Sequence, residues 1–201
     1  MEYDLSEKTK GSSMEAKKIT VYEMCVTALM TALTCILAPM SIPIGPIPIS
    51  FTMFVLYISA FLLGPKLSSI SYIVYLLLGV AGLPIFSGYT GGLAKLAGPT
   101  GGYLVGNIFL TLIIGFTVEH FYSKWYVIFL SMLAANIVLY FFGTVWFVIQ
   151  ANTDMVSALK VCVFPFLLGD LIKVILAMII GYTVRKSLVK ANLIKISKDR
   201  K

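Results

Sequence analysis

The chain has 201 residues, 59% of them hydrophobic and only 12% charged, with a mean hydropathy of +0.93 and a net charge of +7. This composition excludes an ordinary water-soluble domain and specifies a membrane protein. No polar tract is long enough to fold as a second domain, so one all-α membrane domain is expected at about 19–185, between a polar tail at 1–18 and a basic tail at 186–201.

Positions 1–18 are polar and mixed in charge. The apolar run behind them is too long for the core of a signal peptide and has no small-residue cleavage pattern, so it is expected to remain as a membrane helix. That first span, Ile19 to Ala38, has about the twenty residues a bilayer core requires. Its Ala28 and Ala32 stand four apart, a spacing that lets helices approach closely, within the bundle or against a partner subunit. The stretch Pro39 to Pro48 holds four prolines, which fix φ and remove amide donors, so no regular helix persists there. Apolar, non-helical backbone is tolerated at membrane depth only where protein or a cavity covers it, which makes this stretch either a wall over a site or a plain interfacial loop.

A second span is expected at about 49–63, ending at Gly64-Pro65-Lys66, and a third at about 67–83. Residues 84–102 then form a long connection rich in glycine, with Phe86, Tyr89, Thr90, Gly91, Gly92 and Gly98 in it and Tyr103 just beyond. Loops of this length in a compact domain are usually functional. Glycines let backbone approach a ligand closely, and the aromatic residues offer flat apolar surface and hydroxyl groups. The loop lacks the GxxxxGK[ST] pattern that cradles nucleotide phosphates, so the chain is not expected to hydrolyse ATP.

Further spans are expected at about 103–118, 126–149 and 161–184, six in all. The last contains Phe164-Pro165-Phe166-Leu167-Leu168-Gly169-Asp170-Leu171-Ile172-Lys173, an acid and a base inside an apolar run. At i and i+3 on a helix, Asp170 and Lys173 project side by side. Charges at lipid depth are expensive and generally face a protein interior or an aqueous cavity where they bind or carry something; the alternative is a structural ion pair that locks helix packing. Cys25, Cys35 and Cys162 lie singly in apolar segments, without CxxC spacing, and His120 has no second histidine to pair with. Neither a metal centre, redox chemistry nor a catalytic histidine is expected.

Orientation follows from the basic residues. With six spans and the N-terminus in the cytoplasm, thirteen Lys and Arg fall on the cytoplasmic side against only Lys95 and Lys160 outside. Both termini are therefore expected in the cytoplasm and the proline-rich and glycine-rich loops outside. The positive charge reads as this asymmetry, with contact to anionic lipid, and gives no ground for a nucleic-acid partner.

Taken together, Gly82-Leu83-Pro84-Ile85-Phe86, Gly91-Gly92-Leu93, Gly98-Pro99-Thr100-Gly101-Gly102-Tyr103-Leu104 and Pro165-Phe166-x-x-Gly169-Asp170-x-x-Lys173 resemble the BioY family over about residues 20–185. These are the biotin-binding S components of energy-coupling-factor vitamin transporters. The resemblance implies a six-transmembrane-helix bundle in a bacterial cell membrane that captures biotin from outside. It also implies work with a transmembrane coupling subunit and a pair of cytoplasmic ATPases, with no cofactor and no catalytic residues of its own. It assigns Asp170 and Lys173 to the vitamin site, places the glycine-rich loop over the ligand, and turns Ala28 and Ala32 toward the coupling subunit. The chain departs from the family pattern at Thr52, at Leu168 and in Gly88-Tyr89-Thr90.

Biotin presents two ureido N–H donors, a carbonyl, a thiophane ring and a carboxylate. Asp170 can accept from a ureido N–H, and Lys173 can donate to the carbonyl or hold the Asp170 charge in place. Phe86, Tyr89 and Tyr103 can cover the thiophane ring; Lys95 can pair with the carboxylate or stand as a solvated loop charge. Competing readings are an S component for lipoate or a biotin precursor, an intramembrane enzyme using Asp170 and Lys173 as acid and base, and a purely structural subunit.

Overall fold

The computed structural model describes residues 19–43, 47–191 and 193; the polar tail at 1–18, the middle of the proline-rich run and most of the basic tail lie outside the described residues. Helix α1 (Val21–Leu37) starts on a capping box. The Thr20 hydroxyl accepts from the Glu23 amide at 3.2 Å and the Glu23 carboxylate from the Thr20 amide at 2.8 Å. Two otherwise orphaned donors are thereby satisfied. The prolines that follow stop the helix, and the chain makes a minimal antiparallel pair, β1 (Ser41–Ile42) with β2 (Ile49–Ser50).

The expected second and third spans are the two halves of α2 (Thr52–Val80), which part within the expected stop, at Gly64, with φ 71° and ψ −173°. Pro65 disfavours helical backbone in the residue before it, and only glycine takes the left-handed φ without strain. The two halves lie side by side, since Thr52 near the start and Tyr75 near the end line the same cavity. The sequence reading allowed three residues for this reversal; one suffices because Ser68 donates back to the Gly64 carbonyl at 2.6 Å, and Arg185 donates to the freed Phe61 carbonyl. Arg185 is buried, 4% exposed, with its guanidinium over the Tyr122 ring at 5.3 Å.

Within the glycine-rich connection a short helix α3 (Leu93–Ala97) forms before α4 (Gly101–His120) and α5 (Trp125–Ala151). These two helices close up because glycines face the partner. A Cβ on Gly102 would lie 2.4 Å from Trp146 Cβ, one on Gly106 2.8 Å from Leu139 Cδ1, and one on Gly143 2.3 Å from the Tyr103 ring. On its other side α4 meets the elbow of α2, where a Cβ on Gly115 would stand 2.5 Å from the Pro65 backbone. Backbone cannot yield as a side chain does, so Gly115→Val should cost about 1–3 kcal/mol or more and lower the melting temperature in detergent by roughly 4–10 °C. An unchanged melting curve would contradict this contact.

The expected sixth span at 161–184 is corrected by the structure. It divides into α6 (Met155–Cys162) and α7 (Phe164–Lys190), with the break at Val163. Pro165 has no amide with which to continue the ladder, and hydropathy alone runs through the break unmarked. The helix then continues to Lys190, into the stretch expected to be tail. Among the described residues four helices, α2, α4, α5 and α7, are long and apolar enough to cross a membrane, and α1 is a shorter apolar helix. The core is aromatic: Tyr57, Tyr72, Tyr75, Phe61 and Phe86 are all buried. Each buried tyrosine hydroxyl has an acceptor, Tyr57 on Asn136 Oδ1 at 2.5 Å, Tyr72 on the Leu104 carbonyl at 2.8 Å and Tyr75 on the Ile85 carbonyl at 3.1 Å. That is the condition on which polar tips can be buried at lipid depth.

Candidate functional site

The break at Val163 sets Asp170 nearly two turns inside α7 and Lys173 one turn further. Asp170 is 3% exposed. Its Oδ1 accepts from Lys173 Nζ at 3.0 Å and its Oδ2 from the Tyr140 hydroxyl of α5 at 2.5 Å. A carboxylate at this depth is therefore held by one positive charge and one neutral donor. Lys173 keeps two further N–H donors, and its side chain is 13% exposed.

Asp170, Lys173 and Tyr140 line one cavity together with residues from most of the bundle. The residues 47–50 of the proline-rich stretch form one wall, which fits a wall over a site rather than a free interfacial loop. Thr52, Met53 and Tyr75 come from α2, Leu104 and Asn107 from α4, and Phe166 from α7. Tyr103 also lines the cavity, and its hydroxyl donates to the Cys162 carbonyl at 2.9 Å, satisfying an acceptor that the α6–α7 break leaves without a helical partner. A second, apolar groove between α5 and α6–α7 also reaches Tyr140 and Asp170, from the flank where Ile137 and Phe141 are exposed.

The other expected ligand residues sit elsewhere in this structure. Phe86 is buried beneath the connection, edge-on to Tyr75 at 5.6 Å and against Gly79. Its amide donates to the Thr90 carbonyl at 2.9 Å, closing a tight turn that holds Tyr89 at φ 57° and leaves that residue 68% exposed. A Cβ on Gly91 would lie 2.3 Å from the Leu83 carbonyl, the Gly92 amide donates to Gly79 O at 2.7 Å, and Gly98 O accepts from Trp146 Nε1 at 2.9 Å. These glycines seat the connection on α2 and α5. From the connection only Ser87 and Thr100 line the cavity. Lys95 is half-buried on α3, and that burial pulls its ammonium below the ordinary value.

Tyr140, Asn107, Thr100 and Ser87 are cavity residues that sequence reading missed. Asn107 carried a usable signal, since an amide inside an apolar span is costly without a purpose. Tyr140 carried less, because a tyrosine in a span reads equally as packing. Ala28 and Ala32 are exposed on α1 and line an apolar groove between α1 and the second half of α2. Of the three thiols, Cys162 is buried, Cys35 half-buried, and Cys25 exposed on α1.

Comparison with known proteins places this architecture. The model of the BioY family matches residues 10–190. A biotin transporter BioY from Thermotoga maritima is 36% identical over 166 residues, covering 82% of this chain and 96% of that protein. A probable biotin transporter BioY from Pyrococcus horikoshii is 34% identical over 159 residues, covering 79% and 93%. The crystal structure of the S component for biotin from an ECF-type ABC transporter superposes with a TM-score of 0.78 at 33% identity, covering 83% of this chain and 92% of that one. With a family match across nearly its whole length and relatives covered almost end to end, the chain belongs to the BioY family.

Proposed function

We propose that this chain is the substrate-binding S component that captures biotin at the outer face of a cell membrane for ATP-driven uptake. The observation that carries the reading is the Asp170–Lys173 pair opening on a cavity inside a bundle of membrane-length helices. Lys173 offers its remaining donors to a carbonyl or carboxylate, and Asp170 offers lone pairs to a ureido N–H. Tyr103 and Phe166 give the rings apolar cover. Residues 84–100 form the cap of the site, with Ser87 and Thr100 reaching into it and Phe86, Tyr89, Thr90, Gly91, Gly92 and Gly98 setting the cap's shape.

Nanomolar capture corresponds to about −12 kcal/mol. Over roughly sixteen heavy atoms that is about −0.75 kcal/mol per atom, inside the ceiling for compact ligands. The work of transport falls to other subunits, a coupling protein that docks on the Ala28–Ala32 face and a pair of cytoplasmic ATPases. With α2 counted as two crossings about Gly64, the helices make six passes. The charge asymmetry of the sequence then puts both termini in the cytoplasm.

Purified chain in detergent, titrated with biotin by calorimetry, should bind one molecule tightly, with desthiobiotin weaker and lipoate weaker still. Tighter binding of lipoate would move the assignment to that cofactor. No heat with any of the three, from protein with an intact melting transition, would overturn the reading.

A further inference from the structure

Asn107 lies nearly two turns into α4, is 5% exposed, and lines the cavity. Its amide orientation is set by a neighbour. The Tyr72 hydroxyl gives its proton to the Leu104 carbonyl at 2.8 Å, so its oxygen is left to accept, and Asn107 Nδ2 donates to it at 3.4 Å. Turning the amide over would set Oδ1 against an oxygen whose proton is already committed. Oδ1 is thereby kept away from Tyr72, and it has no hydrogen-bond partner among the described residues. A second cavity residue shares this condition: Thr100 is 8% exposed and its Oγ1 is equally unpartnered. Buried polar atoms are costly to leave unpaired, and an amide acceptor and a hydroxyl on the wall of one cavity mark a place for hydrogen-bonding groups that come from outside the described residues.

Resting on the biotin reading above, we propose that Asn107 is a specificity-determining residue: its side-chain carbonyl receives one N–H of the cyclic urea. The division of labour follows from charge. Both Asp170 oxygens already hold donors, whereas Asn107 Oδ1 is neutral, accepts only, and holds none. A carboxylate ligand whose ring carries no N–H, such as the dithiolane of lipoate, leaves Oδ1 stranded. A site built to hydrogen-bond a donor rejects the analogue that lacks it far more strongly than apolar contact can.

The test pairs protein and ligand changes, using calorimetry on biotin and on its two mono-N-methyl derivatives with wild type, Asn107→Leu and Asn107→Ser. Wild type should bind biotin tightly and disfavour the derivative methylated at the nitrogen facing Asn107. Asn107→Leu should weaken biotin by about tenfold to a hundredfold. In both variants the gap between biotin and that derivative should shrink to roughly threefold or less, and the smaller serine provides the result if leucine prevents folding. Undiminished biotin affinity or an unchanged methyl gap in a folded variant overturns the role of Asn107 while leaving biotin capture standing. Failure of the wild type to bind biotin overturns the underlying reading instead.

Discussion

Asp170→Asn is expected to weaken biotin binding at least a hundredfold. The substitution keeps the size of the side chain and lets Tyr140 still donate to an amide oxygen, but it removes the charge opposite Lys173. An ammonium stranded beside a cavity at lipid depth costs about 3–5 kcal/mol, much of it from the partner left behind. Calorimetry on purified variant and wild type measures the loss, with a melting curve to show that the variant folds. A pair that only locks α7 in place makes a different forecast, a lower melting temperature with unchanged affinity per folded molecule. That outcome would remove Asp170 from the ligand site. Lys173→Ala should lose affinity to a similar extent, and the double variant should lose much less than the product of the two, because neither charge is then abandoned.

The second large effect concerns assembly rather than capture. Ala32→Trp sets an indole on the exposed face of α1, in the groove that Ala28 also lines. The docking proposed for this face needs small residues there, so the variant should bind biotin like wild type when alone yet fail to co-purify with the proposed coupling subunit. Uptake of labelled biotin by cells should fall more than tenfold. Leu29→Trp provides a control, since Leu29 is exposed on α1 but outside that groove. Equal uptake by Ala32→Trp and wild type would place the partner on another face.

Much of this was legible in advance because the bilayer constrains sequence so tightly. Apolar runs marked the long helices to within a few residues, the four prolines forbade a helix between α1 and α2, and the spacing of Asp170 and Lys173 put both on one face. The expected stop at Gly64-Pro65-Lys66 falls where Gly64 reverses α2 with one left-handed residue, whereas hydropathy missed the break at Val163–Pro165 that splits α6 from α7.

The site was half legible. Its charged members stood out because charge is rare in such a chain, whereas Tyr140 meets Asp170 only through the packing of α5 on α7. Glycines and aromatics of the 84–102 connection read alike whether they touch a ligand or shape a turn. Phe86 and Gly91 do the second in this structure, being spent on Gly79 and on the Leu83 carbonyl.

The Asp170–Lys173 pair also has an electrical consequence. Empty, its two formal charges cancel; occupied by a carboxylate ligand, the site carries one net negative charge. Carrying that charge inward against an inside-negative potential takes about 2.3 kcal/mol for each 100 mV crossed. In the capture proposed above, a loaded cavity that passed inward would do so against this voltage, and an empty one would not.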